Sequence, residues 1–168
     1  MIVRRLTPTD AAEYRELRLR ALREHPDAFR SSYEEEVLKP ADWAAQRVGG
    51  ADGFFLGAFD ATGTLIGAVG LQLEARRKLR HQGHVIGMYV AAEHGGQGVG
   101  RALIEACIAQ ARAIDHLEAL VLTVTSSNDH AVRLYRNAGF VECGREPRAM
   151  KIDGRYFDKT MMYLDLNR

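Results

Sequence analysis

The stretch from Val85 to Leu103 limits what this chain can fold into more than any other. It opens with Val85-Ile-Gly-Met-Tyr-Val90, an apolar run rich in β-branched and aromatic residues, which predicts a buried strand. Gly95, Gly96, Gly98 and Gly100 follow, four glycines within six residues. Behind them Ala102, Leu103, Ala106, Cys107 and Ala111 recur at helical spacing and form one apolar face. A strand, a glycine turn and a helix start in this order leave backbone N–H groups uncovered beside the positive end of a helix dipole. That combination predicts an anion site.

Two familiar anion loops do not fit. A dinucleotide loop needs a third glycine where this chain has Arg101, and an acidic residue at a second strand end. Here the strand Leu120-Val-Leu-Thr-Val124 runs into Thr125 and Ser126. A nucleotide-triphosphatase loop needs Gly-Lys-Ser/Thr, which does not occur.

The other elements follow from local signals. Residues 1–6 predict a first strand, and Thr7-Pro8-Thr9-Asp10 a capped helix start. Tyr14, Leu17, Ala21 and Leu22 supply that helix's apolar stripe, and His25-Pro26 ends it. A second helix is expected near Pro40, and Glu34-Glu35-Glu36 reads as a solvated face. Residues 54–59 and 65–73 predict an antiparallel hairpin. The cations Arg76, Arg77, Lys78 and Arg80 read as a solvated hairpin end, since nucleic-acid contact would come with interleaved aromatics. The strand 119–125 precedes a helix 128–137 closed by Gly139. Segments 148–152 and 155–166 flank Asp153-Gly154, a short hairpin turn. The order is strand, two helices, three strands, helix, strand, helix, two strands.

At 168 residues the whole chain, 1–168, reads as a single domain with its own core. A net charge of +1 gives no basic excess that would demand a nucleic-acid partner. Charges scattered through the first twenty residues leave no room for a signal peptide, and no stretch reaches membrane-spanning length. A cytoplasmic location with no membrane partner is therefore expected. Cys107, on the apolar helix face, is expected to be a buried free thiol.

Gly95-Gly96-Gln97-Gly98-Val99-Gly100 resembles the acyl-CoA motif of the GNAT superfamily of N-acetyltransferases, Gln/Arg-x-x-Gly-x-Gly/Ala after a strand. Gly95 departs from it, standing where Gln or Arg is usual. A second motif, Asn128-x-x-Ala131-x-x-Leu134-Tyr135-x-x-x-Gly139-Phe140, strengthens the resemblance, as does the element order.

The resemblance implies an α/β (α+β) fold. Its central sheet would be mixed and mostly antiparallel, of about seven strands, with parallel fourth and fifth strands that splay apart. It also implies acetyl-CoA as acyl donor and no metal. The donor's pantetheine arm would bond the main chain of Met88, Tyr89 and Val90, as an added strand does. Its pyrophosphate would sit over the amides of Gly95, Gly96, Gln97, Gly98, Val99, Gly100 and Arg101. The Val90 N–H would polarise the thioester carbonyl. Tyr135 would be the acid that protonates the departing thiolate. Asn128 would contact the cofactor, cap its helix, or do both. Arg101, Arg133 and Arg136 are candidates for the phosphates.

An amine protonated at neutral pH must lose a proton before attack. The fourth strand has no carboxylate, so Glu74, His84 and Tyr89 are the candidate bases, with Glu74 first; an ordered water chain is the alternative. The expected acceptor is a small primary amine, presented by residues 27–48 and Tyr156-Phe157. The rivals are a protein terminus or lysine as acceptor, and a non-catalytic acyl-CoA-binding module. Homodimers occur in the family, but no apolar stripe in this sequence marks an interface.

Overall fold

In a computed structural model describing residues 1–167, the chain builds one seven-stranded sheet flanked by helices. In chain order the elements are β1 (Ile2–Arg5), α1 (Ala11–Glu24), α2 (Tyr33–Val37), α3 (Trp43–Gly49), β2 (Gly53–Phe59), β3 (Leu65–Leu73) and β4 (Gln82–Val90). Then come α4 (Val99–Arg112), β5 (Ala119–Thr125), α5 (Asp129–Asn137), β6 (Val141–Ile152) and β7 (Arg155–Asp165). The strands lie in the order β1-β2-β3-β4-β5-β7-β6.

β2 and β3 are apolar at nearly every position because both faces of the sheet are covered. Alternate residues serve opposite layers. Phe54, Leu56 and Ala58 join Leu103, Ile104 and Cys107 of α4 on one side. Phe55 and Phe59 join Tyr14, Leu17 and Ala21 of α1 and Ala44 and Val48 of α3 on the other. Cys107 is buried and Cys143 exposed, and both are free; burial pushes the Cys107 thiol up to about 12.

The sheet is antiparallel except at β4–β5. That parallel contact consists of Gln82–Ala119, Gly83–Leu120 and His84–Val121, after which the two strands part. β4 also breaks its ladder with β3 between Ile86 and Tyr89, where Gly87 takes φ +62, a left-handed conformation that glycine adopts without strain. The expected splay of the fourth and fifth strands is thus present, with a register shift against β3 at the same level of β4.

Three expectations need correction. The region after α1 holds two short helices, not one: besides α3, which starts at Trp43 close to the expected Pro40, α2 is capped by Ser32, whose hydroxyl accepts from Glu35 N while the Glu35 carboxylate accepts from Ser32 N. The acidic run is not wholly solvated. Glu34 and Glu35 are exposed, but Glu36 is 4% exposed and takes two hydrogen bonds from the Arg18 guanidinium, at 2.7 and 3.0 Å. Finally, β6 starts at Val141, seven residues before the predicted strand. It is an edge strand, exposed along most of its length, so Gly144, Pro147 and its charges are tolerated there.

Candidate active site

After Val90 a short 3₁₀ turn, Ala92–His94, leads into the glycine loop, and α4 begins at Val99. Gly96 and Gly98 have φ of +71 and +80. No atom lies within 4 Å of where their Cβ atoms would stand, so backbone conformation rather than space selects glycine there. Gly98 is the N-cap of α4 and has no side chain to accept the first-turn amides. Those N–H groups therefore stay available at the positive end of the helix dipole.

The loop forms one wall of a cavity of about 770 Å³. Gly95, Gly96, Gly98, Val99, Gly100 and Arg101 line it together with Met88, Tyr89 and Val90. Gln97 is not among its lining residues; its side chain turns back to the Glu93 carbonyl at 3.1 Å. Arg133 and Arg136 are not brought to it either. They line a separate hollow with Arg145, and Arg136 pairs with Glu142. Arg101 lines the large cavity while pairing with Glu105 at 2.7 Å.

The edge of β4 matters as much as the loop. Ala91 N donates to Ile66 O at 2.9 Å, and Val90 stands opposite Gly67. Pair types alternate along an antiparallel ladder, so the Val90 N–H points away from β3. On that side β5 has already departed. The Val90 amide is thus a free donor facing the gap.

α5 closes the far wall. Asn128 caps it, its Oδ1 accepting from Ala131 N at 3.0 Å, which leaves the side-chain amide nitrogen for other partners. Tyr135 is buried, edge-to-face with Phe140 at 5.9 Å between ring centroids. Its hydroxyl has no hydrogen-bond partner among the described residues. Fully buried unpartnered polar side-chain atoms are also absent from them, so that hydroxyl opens into the cavity. Burial raises the phenol's pKa, so it stays protonated at neutral pH.

A second chamber of about 290 Å³ meets the first. Phe29, Met88, Asn128, Ala131 and Tyr135 line both. Tyr135 therefore stands where the two spaces join. The second chamber is also walled by Arg18, Arg30, Arg47, Gln72, Thr125 and Lys159. Residues 28–31 and 47 contribute from the expected 27–48 segment, but Tyr156 and Phe157 do not line it; Lys159, two residues further along β7, does.

Lys159 is 1% exposed. Its ammonium donates to the Ala28 carbonyl at 3.0 Å, to Thr125 Oγ1 at 2.9 Å and, longer, to the Asp27 carbonyl at 3.4 Å. Burial, then the neighbouring Arg30 charge, brings its pKa down to about 8, against the opposing pull of Asp27 and Glu146.

None of the three candidate bases stands free in the second chamber. Glu74 lines neither chamber. The Arg76 guanidinium binds it through both carboxylate oxygens and holds its pKa at about 2, so at neutral pH it has no affinity for a proton. Tyr89 lines the large cavity, but its hydroxyl donates to Glu24 at 2.6 Å, and burial followed by that bond raises its pKa. His84 pairs across to Gln72 and Val121 and is not among the lining residues.

Comparison with known proteins agrees with this geometry. Residues 15–140 match the model of the Acetyltransferase (GNAT) family. A spermidine N(1)-acetyltransferase of Vibrio cholerae is 35% identical over 105 residues, 62% of this chain and 59% of that protein. An L-methionine sulfoximine/L-methionine sulfone acetyltransferase of Pseudomonas paraeruginosa is 35% identical over 80 residues, 48% of this chain and 46% of its own length. The chain thus matches only about half of each relative's length. A crystal structure of a GNAT-family acetyltransferase from Streptococcus pneumoniae superimposes with a TM-score of 0.85 at 27% identity, covering 96% of this chain and 97% of the other. By sequence motif, sheet topology and family match, the chain belongs to the GNAT acetyltransferase family.

Proposed function

We propose that this protein transfers the acetyl group of acetyl-CoA to the primary amine of a small molecule. One observation carries the reading: two chambers meet at Tyr135, one walled by free main-chain donors and the other smaller and lined by cationic side chains.

In this reading the amides from Gly95 to Arg101 hold the donor's pyrophosphate, as a helix N-terminus holds phosphate. The open edge of β4 from Met88 to Val90 accepts the pantetheine arm, with Asn128 beside it. The Val90 N–H then points at the thioester carbonyl and stabilises negative charge developing on its oxygen. The amine nitrogen bonds to the carbonyl carbon as the C–S bond breaks. Tyr135 supplies the proton to the leaving sulfur, the amine gives its own to water, and Tyr135 regains a proton from water. A chamber of about 290 Å³ sits near the small end of ligand cavities, which supports a small acceptor over a protein chain. The names of the relatives, which refer to spermidine and methionine sulfoximine, point the same way.

A thermal melt with and without acetyl-CoA tests the donor site. Ligand at about 100 times its Kd adds roughly 2.7 kcal/mol, or about 5–10 °C for a chain of this size. Thiol release on adding amines tests the transfer. No shift with any CoA thioester would overturn the reading.

A further inference from the structure

The second chamber is lined by four cations and, among its described lining residues, by no Asp or Glu. Two of the four are compensated. Arg18 is bound through two of its nitrogens by Glu36, and Arg30, at the exposed rim, pairs with Glu146 at 2.6 Å. The other two have no carboxylate in direct contact, although Glu36 acts on Arg47 and Asp27 and Glu146 on Lys159 from further away. Arg47 gives its Nε to the Tyr14 hydroxyl at 2.9 Å and lies over the Phe55 and Trp43 rings. Its two terminal nitrogens have no partner among the described residues. Lys159 is bound only by neutral oxygens.

With a buried Lys159 held by neutral oxygens, a half-buried Arg47 with two open nitrogens and no carboxylate in its lining, the chamber is net positive and suits an anion. Resting on the reading of this chamber as the acceptor side, we infer that the acceptor brings that anion: it is an amine carrying a carboxylate, a free amino acid or close analogue, and not a polyamine. Arg18, Arg47 and Lys159 line the second chamber but not the donor cavity. The carboxylate therefore sits away from the thioester, with Arg47's planar fork suited to grip it in two-point fashion. The amine is left toward the junction at Tyr135.

The same charges address the missing base. Like charge nearby disfavours protonation, so the positive charge that remains after the carboxylate binds lowers the pKa of the bound ammonium, which gives its proton to water. The balance is that of the ammonium: one proton goes to water before attack, then a C–N bond forms and the C–S bond breaks, the second nitrogen proton goes to water and sulfur takes one from Tyr135. A polyamine would add further cations to the chamber and meet repulsion.

The test measures thiol release from acetyl-CoA by the wild-type protein with each proteinogenic L-amino acid, with the matching decarboxylated amines, and with spermidine. We expect at least one amino acid to be acetylated, with kcat/KM lower by about tenfold or more for its decarboxylated partner, the loss expected for a charge-assisted contact. Arg47→Met should raise KM for that amino acid by a similar factor and leave the thermal shift with acetyl-CoA intact. Preference for spermidine or a simple amine over every amino acid would overturn this inference and leave the acetyltransferase reading standing. No thiol release with any amine, or no shift with acetyl-CoA, would overturn both.

Discussion

Replacing Lys159 by Met tests the electrostatics of the second chamber without any substrate. The Lys159 pKa falls from 10.5 to about 8 in the folded protein, chiefly through burial. Between those values the unfolded chain binds the proton and the folded one does not, so folding stability rises with pH across that window. Below pH 8 both states are protonated and the full cost is present. The difference amounts to about 3 kcal/mol, of which about 2.5 kcal/mol is recovered between about pH 7 and about pH 10. Lys159→Met removes this dependence. At neutral pH the variant loses hydrogen bonds to Ala28 and Thr125 but also loses the desolvated charge, so the absolute difference at one pH decides little. The slope decides. Urea unfolding followed by the single tryptophan, Trp43, should show wild type gaining on the variant by about 1 M in midpoint over this range. Parallel stability profiles for the two proteins would refute the account of a buried ammonium with no carboxylate in contact.

Three other variants probe separate parts. Glu36→Gln leaves Arg18 buried without its counter-ion and should cost about 3–5 kcal/mol in urea unfolding; a loss under about 1 kcal/mol would mean Glu36 does not neutralise Arg18. Gly98→Val puts a β-branched residue at φ +80 on the N-cap of α4, costing about 1–2 kcal/mol of stability, and by calorimetry it should weaken acetyl-CoA binding by about tenfold or more, because a branched side chain obstructs phosphate at the amides. Glu74→Gln should leave turnover unchanged within assay error, because that carboxylate is held by Arg76 away from both chambers. A steep loss there would return Glu74 to the chemistry.

What could be read in the sequence was whatever depends on local geometry. The glycine loop, the Asn128 cap and the Asp153-Gly154 turn each announce themselves through residues that only certain backbones accept, and the structure has all three where expected. The wall proposed to hold the donor is built from such elements, so its geometry was legible. The acceptor side is assembled from distant segments. Lys159 alternates with Phe157 and Met161 on one face of β7, but nothing local says that residues 27–30 cover that face. Arg18 did carry a signal: it lies four residues after Tyr14 and four before Leu22, inside the apolar stripe of α1. A cation in such a stripe demands a buried partner, and Glu36 is that partner. Glu74, ranked first as base, lines neither chamber, and the sequence did not show why. Its position at a strand end was readable, but the competing grip of Arg76 two residues on decides its protonation.

The most direct test of the central claim is Tyr135→Phe, measured for both acetyl-CoA affinity and turnover. The hydroxyl opens into the junction and has no hydrogen-bond partner among the described residues, so its removal leaves folding and donor binding essentially intact. If Tyr135 protonates the leaving thiolate, kcat falls by about 10²-fold or more while the Kd for acetyl-CoA stays put. Wild-type turnover in the variant would remove Tyr135 from the mechanism.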